Sequence, residues 1–165
     1  MEIRKLLPED AEEYRVLRLK ALKDHPEAFA ASYEETLNHP LELFKQRFSD
    51  ENAQTYGAFI GGKLAGTVTL VREGKPKLRH RANIFAMYVL PEYRQAGTGK
   101  QLVSEAIKKA KKLGNITHLY LSVTSSNLPA KKLYESLGFK TYGIDSHALQ
   151  VDGVMYSEDL MSLAI

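Results

Sequence analysis

Between Met87 and Lys100 an apolar run, a glycine-containing loop and a helical pattern follow one another without a gap: Met87-Tyr88-Val89-Leu90-Pro91-Glu92-Tyr93-Arg94-Gln95-Ala96-Gly97-Thr98-Gly99-Lys100. The first N–H groups of a helix lack internal acceptors and sit at the positive end of its dipole. Glycines let a bound phosphate reach the backbone without meeting a Cβ, so this junction suits a pyrophosphate. An arginine at position 94 adds charge-assisted hydrogen bonds to such an anion. Two nucleotide loops are excluded by spacing. A Walker P-loop needs glycine at 94 and Ser or Thr at 101, where the chain has Arg94 and Gln101. A dinucleotide fingerprint needs its third glycine where Leu102 stands. A plain strand-to-helix turn stays open on these residues alone.

A second segment runs Asn127-Leu128-Pro129-Ala130-Lys131-Lys132-Leu133-Tyr134-Glu135-Ser136-Leu137-Gly138-Phe139. Ser126 or Asn127 caps a short helix, Pro129 suits its first turn and Gly138 stops it. Ala130, Leu133, Tyr134 and Leu137 then share one face. Tyr134 reads either as a core tyrosine with a satisfied hydroxyl or as a proton donor. A phenol, with a pKa of about 10, is still protonated at neutral pH, whereas a thiol has a pKa of about 8.5.

Together the two segments resemble the GNAT superfamily of N-acetyltransferases. Its [Arg/Gln]-x-x-Gly-x-[Gly/Ala] loop is matched by Arg94, Gly97 and Gly99. Its Asn-x-x-Ala-x-x-Leu-Tyr-x-x-x-Gly-Phe pattern is matched by Asn127, Ala130, Leu133, Tyr134, Gly138 and Phe139. The resemblance spans residues 55 to 142 well and the first helices only in layout. It implies acetyl-coenzyme A as co-substrate, its pyrophosphate held by the amides of Gln95, Ala96, Gly97, Thr98, Gly99 and Lys100, with Arg94 beside them. It also implies that the backbone of Met87, Tyr88 and Val89 lies against the pantetheine arm and acetyl carbonyl, with Asn127 and Ala130 at the cofactor. By the same resemblance a neutral primary amine attacks the thioester directly in a ternary complex. The Val89 N–H faces the developing oxyanion and Tyr134 protonates the departing thiolate. No acyl-enzyme is needed, in keeping with a chain that has no cysteine.

The proton acceptor for the amine is less legible. Relatives carry a glutamate on the strand before the loop, but Ala82-Asn83-Ile84-Phe85-Ala86-Met87-Tyr88-Val89 contains no acid. Candidates are Glu34, Glu35 and His80, or a water chain held by Asn83. Taken alone, Glu34 and Glu35 read as solvated surface acids before they read as bases, and His147 reads as a loop residue. Acids near the cleft would suit a cationic amine.

Elements to position these residues follow from periodicity. A strand near Glu2 to Leu6 leads into a helix with Tyr14, Leu17, Leu19, Ala21 and Leu22 at helical spacing, ended by His25-Pro26. A second helix is expected around Pro40 to Phe48. Thr55 to Ile60 and Leu64 to Val71 form a hairpin at Gly61-Gly62, and Asn83 to Leu90 a third strand. A helix from Thr98 to Leu113 carries Leu102, Val103, Ala106, Ile107 and Ala110 on one face. His118 to Val123, a helix from Pro129 to Leu137, then Phe139 to Tyr142 and Val154 to Leu163 complete the chain. The expected fold is mixed α/β (α+β) and GNAT-like, with one central, mostly antiparallel sheet of about six or seven strands and about four helices.

Composition sets the outer limits. At 165 residues, 44% hydrophobic and 26% charged, residues 1–165 read as one N-acetyltransferase domain. The absence of cysteine excludes Cys nucleophiles, disulfide scaffolds and Cys-ligated zinc, and no metal is expected. The N-terminus lacks the apolar stretch of a signal or membrane span, so the expected location is cytoplasmic, with no membrane partner. The net charge is +3. Lys108, Lys109, Lys111 and Lys112 sit near a helix C-terminus, where cations complement the dipole, and no nucleic-acid partner is expected. Two other classes stay open: a coenzyme-binding sensor without turnover, which could dispense with Tyr134, and a basic nucleic-acid-binding domain, which salt-sensitive binding would reveal. The acceptor, a small-molecule or peptide amine, is not specified, and a homodimer is left open.

Overall fold

The computed structural model describes residues 1–165. Its strands are β1 (Glu2–Lys5), β2 (Ala53–Ile60), β3 (Lys63–Arg72), β4 (Arg81–Val89), β5 (His118–Thr124), β6 (Lys140–Val151) and β7 (Val154–Ala164). They form one seven-stranded sheet in the order β1-β2-β3-β4-β5-β7-β6. Every neighbouring pair is antiparallel except β4 with β5. Parallel neighbours need a crossover, and α4 (Thr98–Lys112) supplies it.

That crossover helix is held by its apolar stripe. Leu102, Val103, Ala106 and Ala110 are buried with Val68, Leu70, Ala82, Ile84, Leu119 and Leu121 of the sheet. Each large aliphatic side chain buried there contributes about 1.5–3 kcal/mol. On the opposite face, α1 (Ala11–Asp24) and α3 (Leu41–Ser49) enclose a second cluster with Leu6, Phe59, Leu64 and Tyr88. The Tyr14 ring meets Phe44 and Phe48 edge-on, with centroids 5.8 and 5.1 Å away. Asp10, at the start of α1, is fixed by a two-pronged bond from Arg4, both contacts 2.8 Å.

The expected sheet is present, with three corrections in detail. A fifth helix, α2 (Tyr33–Leu37), stands where only a connection between helices was expected. Its cause is local: Ser32 Oγ accepts from Glu35 N, and the Glu35 carboxylate accepts from Ser32 N at 3.0 Å, a capping box. The penultimate strand does not stop at Tyr142 but continues to Val151. There Asp152 and Gly153, both with positive φ, turn the chain into β7. Polar Asp145, Ser146 and His147 interrupt the strand pattern at a register shift between Asp145 and Leu149, which hid it. His147 is therefore an exposed residue within β6 instead of a loop residue. No helix is long and apolar enough to cross a membrane.

Candidate active site

The parallel pairing of β4 and β5 lasts three residues, Arg81 with His118, Ala82 with Leu119 and Asn83 with Tyr120. Beyond Asn83 the two strands part. β4 continues along β3, β5 continues along β7, and a wedge opens between them. A bulge drives the divergence, because an extra residue bends and twists its strand. Thr67 lies opposite Tyr88 but Thr69 opposite Phe85, and Ala86 takes a φ of 51°. The buried Thr67 hydroxyl donates to the Ala86 carbonyl at 3.2 Å and holds the bulge.

The bulge also exchanges the faces of β4. Before it, Ala82 and Ile84 point toward α4; after it, Val89 does, while Tyr88 joins the α1 side. Leu90 N donates to Ala65 O, so in the alternating antiparallel ladder the N–H and C=O of Val89 point away from β3, into the wedge. The Val89 carbonyl accepts from Arg94 Nε at 2.8 Å. Arg94 thereby fastens the loop to the end of the strand, with its guanidinium 5.5 Å from the Tyr88 ring.

Past Arg94 the backbone is a concavity of amides. Gln95 and Gly97 both have positive φ, 61° and 81°, and α4 starts at Thr98. No acceptor in the chain takes the N–H groups of Gln95, Ala96, Gly97, Thr98, Gly99 or Lys100; the first bonded amide is that of Gln101, to Gly97 O. Six free donors at a helix N-terminus make an anion nest. The hydroxyl of Thr98, buried at the first turn of α4, also lacks a partner. The glycines have different jobs. Gly97 supplies the left-handed conformation, whereas Gly99 supplies room: a methyl there would lie 2.9 Å from Leu133 Cδ1 and 3.1 Å from Met87 Cε.

Leu133 belongs to α5 (Leu128–Ser136), the helix after β5, so Gly99 is where α4, α5 and β4 meet. Asn127 caps α5, its Oδ1 accepting from Ala130 N at 3.2 Å. Tyr134 is 6% exposed in the cluster that holds Val89 of β4 and Val123 of β5, edge-on to Phe139 at 5.9 Å. Burial pushes its phenol above the ordinary value, and no hydrogen bond opposes that. The start of α5 is anchored by Asp159 on β7. This carboxylate, 4% exposed, takes Lys131 Nζ at 2.8 Å and Ser125 Oγ at 2.7 Å. Lys131 chiefly, then Ser125, hold Asp159 below the usual carboxylate range.

The other face of the wedge is bordered by the turn Pro26–Ala28, pinned where Thr124 Oγ1 donates to Glu27 O at 2.8 Å. Of the acids considered from sequence, Glu35 is engaged in the capping box, where the Ser32 amide and then its hydroxyl hold it below the usual range. Glu34 is exposed on the same short helix. His80 is exposed, next to His118 with ring centroids 6.3 Å apart. Asn83, at the closed end of the wedge, donates through Nδ2 to Glu73 Oε1 at 2.9 Å. Glu73 carried no signal in the sequence, since it lies ten residues away in the β3–β4 connection and no motif includes it.

The comparisons with known proteins agree with this geometry. Residues 11–139 match the acetyltransferase (GNAT) family. An N-alpha-acetyltransferase from Sulfurisphaera tokodaii is 29% identical over 117 residues, covering 67% of this chain and 70% of that protein. The spermidine N(1)-acetyltransferase of Escherichia coli K12 is 30% identical over 116 residues, covering 68% and 59%. The structure of yncA from Salmonella typhimurium, solved with its cofactor acetyl-CoA, superposes with a TM-score of 0.82 at 19% identity, over 99% of this chain and 93% of that one.

Proposed function

The chain belongs to the acetyltransferase (GNAT) family, and from that membership we propose that it transfers the acetyl group of acetyl-coenzyme A directly to a primary amine in a ternary complex. The observation that carries this reading is the set of unsatisfied amides from Gln95 to Lys100 at the mouth of the β4–β5 wedge. That nest suits the cofactor diphosphate; Gly97 gives it its left-handed turn, and Gly99 lets the start of α4 approach Leu133 and Met87. Acetyl-coenzyme A supplies an acyl thioester. Everything else asked of the protein is placement, polarisation and proton handling.

The Val89 N–H, turned into the wedge, stabilises negative charge on the acetyl oxygen; a donor aimed at developing charge is worth about 3–4 kcal/mol. The amine nitrogen forms a bond to the acetyl carbon, the carbon–sulfur bond breaks, and Tyr134 gives its proton to the sulfur. The tyrosine regains a proton from solvent, and the amine's surplus proton leaves to solvent through a base. Burial keeps the Tyr134 phenol protonated until the sulfur takes its proton, and the same surroundings also disfavour a bare thiolate. The amine acceptor is the chemistry common to the two relatives, one named an N-alpha-acetyltransferase and the other a spermidine N(1)-acetyltransferase.

Titration calorimetry with coenzyme A, followed by thiol release from acetyl-coenzyme A with spermidine and with an alanine-led peptide, tests the proposal. Binding together with amine-dependent thiol release is expected. Binding with no release from any primary amine would leave a sensor and no transferase.

A further inference from the structure

We infer that Glu73 is the terminal proton acceptor of the reaction, held by Asn83 at the closed end of the wedge; this rests on the acetyl-transfer reading. The sequence of β4 offers no acid where one is needed, and the structure brings one in from a different segment. Asn83 is the last residue of β4 paired to β5, opposite Tyr120, so it marks the point from which the wedge opens. Its neighbours Ala82 and Ile84 are buried against α4, so Asn83 faces the other side of the sheet, away from that helix. There its Nδ2 donates to Glu73 Oε1 at 2.9 Å. The Glu73 backbone is fixed as well, its N–H bonded to Arg81 O at 3.1 Å. One carboxylate oxygen is therefore oriented, and the other has no partner in the chain.

What surrounds the carboxylate matters as much as where it is. The charged and titratable residues on the elements around it are Arg72 before it on β3, His80 and Arg81 leading into β4, and His118 and Tyr120, paired with Arg81 and Asn83 on β5. Arg81 is drawn off over the Tyr120 ring, 3.8 Å from its centroid. None of the ion pairs in the chain includes Glu73. Asp10 and Asp159, by contrast, are each pinned by a cation that favours their charged form. A neutral amide orients Glu73 through one carboxylate oxygen and leaves the other open to a water. From Val89 to Asn83 the strand covers six residues, roughly 20 Å at the usual rise. The acetyl group, the amine and a file of waters fill such a span, so the proton passes from the ammonium nitrogen along those waters to Glu73 and from there to bulk solvent.

The test is kinetic and uses the whole protein. Glu73→Gln keeps a carbonyl oxygen for Asn83 but cannot accept the proton. Measured with spermidine or the alanine-led peptide, whichever the wild type turns over faster, kcat near neutral pH should fall by about 100-fold. The variant's rate should then climb about tenfold per pH unit as free amine replaces the missing base. Coenzyme A affinity should not change. Glu73→Asp, a shorter carboxylate, should give an intermediate rate and retain the wild-type pH profile. Wild-type kinetics in Glu73→Gln overturns the inference. So does an equal loss in both variants with unaltered pH dependence, which would mean that Glu73 only braces the hairpin. Failure of the parent reading shows differently, as a wild type that neither binds coenzyme A nor releases thiol.

Discussion

On the side of the wedge that faces α4 and α5, the residues suited to the cofactor are close in the chain. Arg94 to Lys100 form one loop, and Asn127 to Tyr134 one short helix with its cap. On the opposite side, the wedge is bordered by pieces from far apart: Glu27 against Thr124, separated by 97 residues, and Glu73 against Asn83 from the next strand. The difference fits what the proposed reaction asks of each side. A diphosphate is best held by consecutive amides, and consecutive amides are consecutive residues. Receiving an amine and its proton needs only a few groups at fixed positions, and any segment that reaches them serves.

The sharpest way to break the comparison is through the local side. Replacing both Gly97 and Gly99 by valine places a β-branched residue at a φ of 81° and another against Leu133 and Met87. Such overpacking and strain should weaken coenzyme A binding about 100-fold by calorimetry. Unchanged affinity would remove the nest from the site. Next in size is Tyr134→Phe, whose turnover should fall by about tenfold or more while coenzyme A affinity is kept.

Smaller effects test the joints between the two sides. Asp159 ties α5 to β7, and its folded pKa lies below the ordinary 3.8 because Lys131 donates to it. A lowered carboxylate contributes stability that is present above the unfolded value and is lost as pH falls through the folded one. Stability should therefore drop below about pH 4. Asp159→Asn should lower Tm by roughly 4–8 °C at neutral pH, equivalent to about 2 kcal/mol, and flatten the acid limb of a thermal-melt series. Smallest of all is Glu35→Ala. Loss of its capping role should lower Tm by about 4 °C or less, with no change in the pH–rate profile. A shifted profile would transfer the proton-accepting role from the β3–β4 connection to the first helices.

Much of the molecule was legible from residue order, for reasons that can be named. Periodicity located all seven strands, because alternating or continuous apolar runs report burial on a sheet directly. The nest was legible because a helix start and two glycines are local facts. The full length of β6 was not, since beyond Tyr142 an edge strand exposes polar residues that imitate a loop. The capping box around Ser32 and Glu35 was present as a Ser-x-x-Glu spacing, but five helical residues are too few to show a period.

The sequence by itself determined the fold class, the glycine loop with its free amides at a helix start and the presence of a tyrosine on the helix after it, because each is written in patterns of residues only a few positions apart. Only the tertiary structure decided where β4 and β5 separate, which edge Val89 presents to the wedge, and which carboxylate stands at its closed end. Those depend on a bulge at Ala86 and on a hydrogen bond between neighbouring elements. Register and bulges are set by the packing of whole strands against one another, and no local pattern of residues encodes that sum.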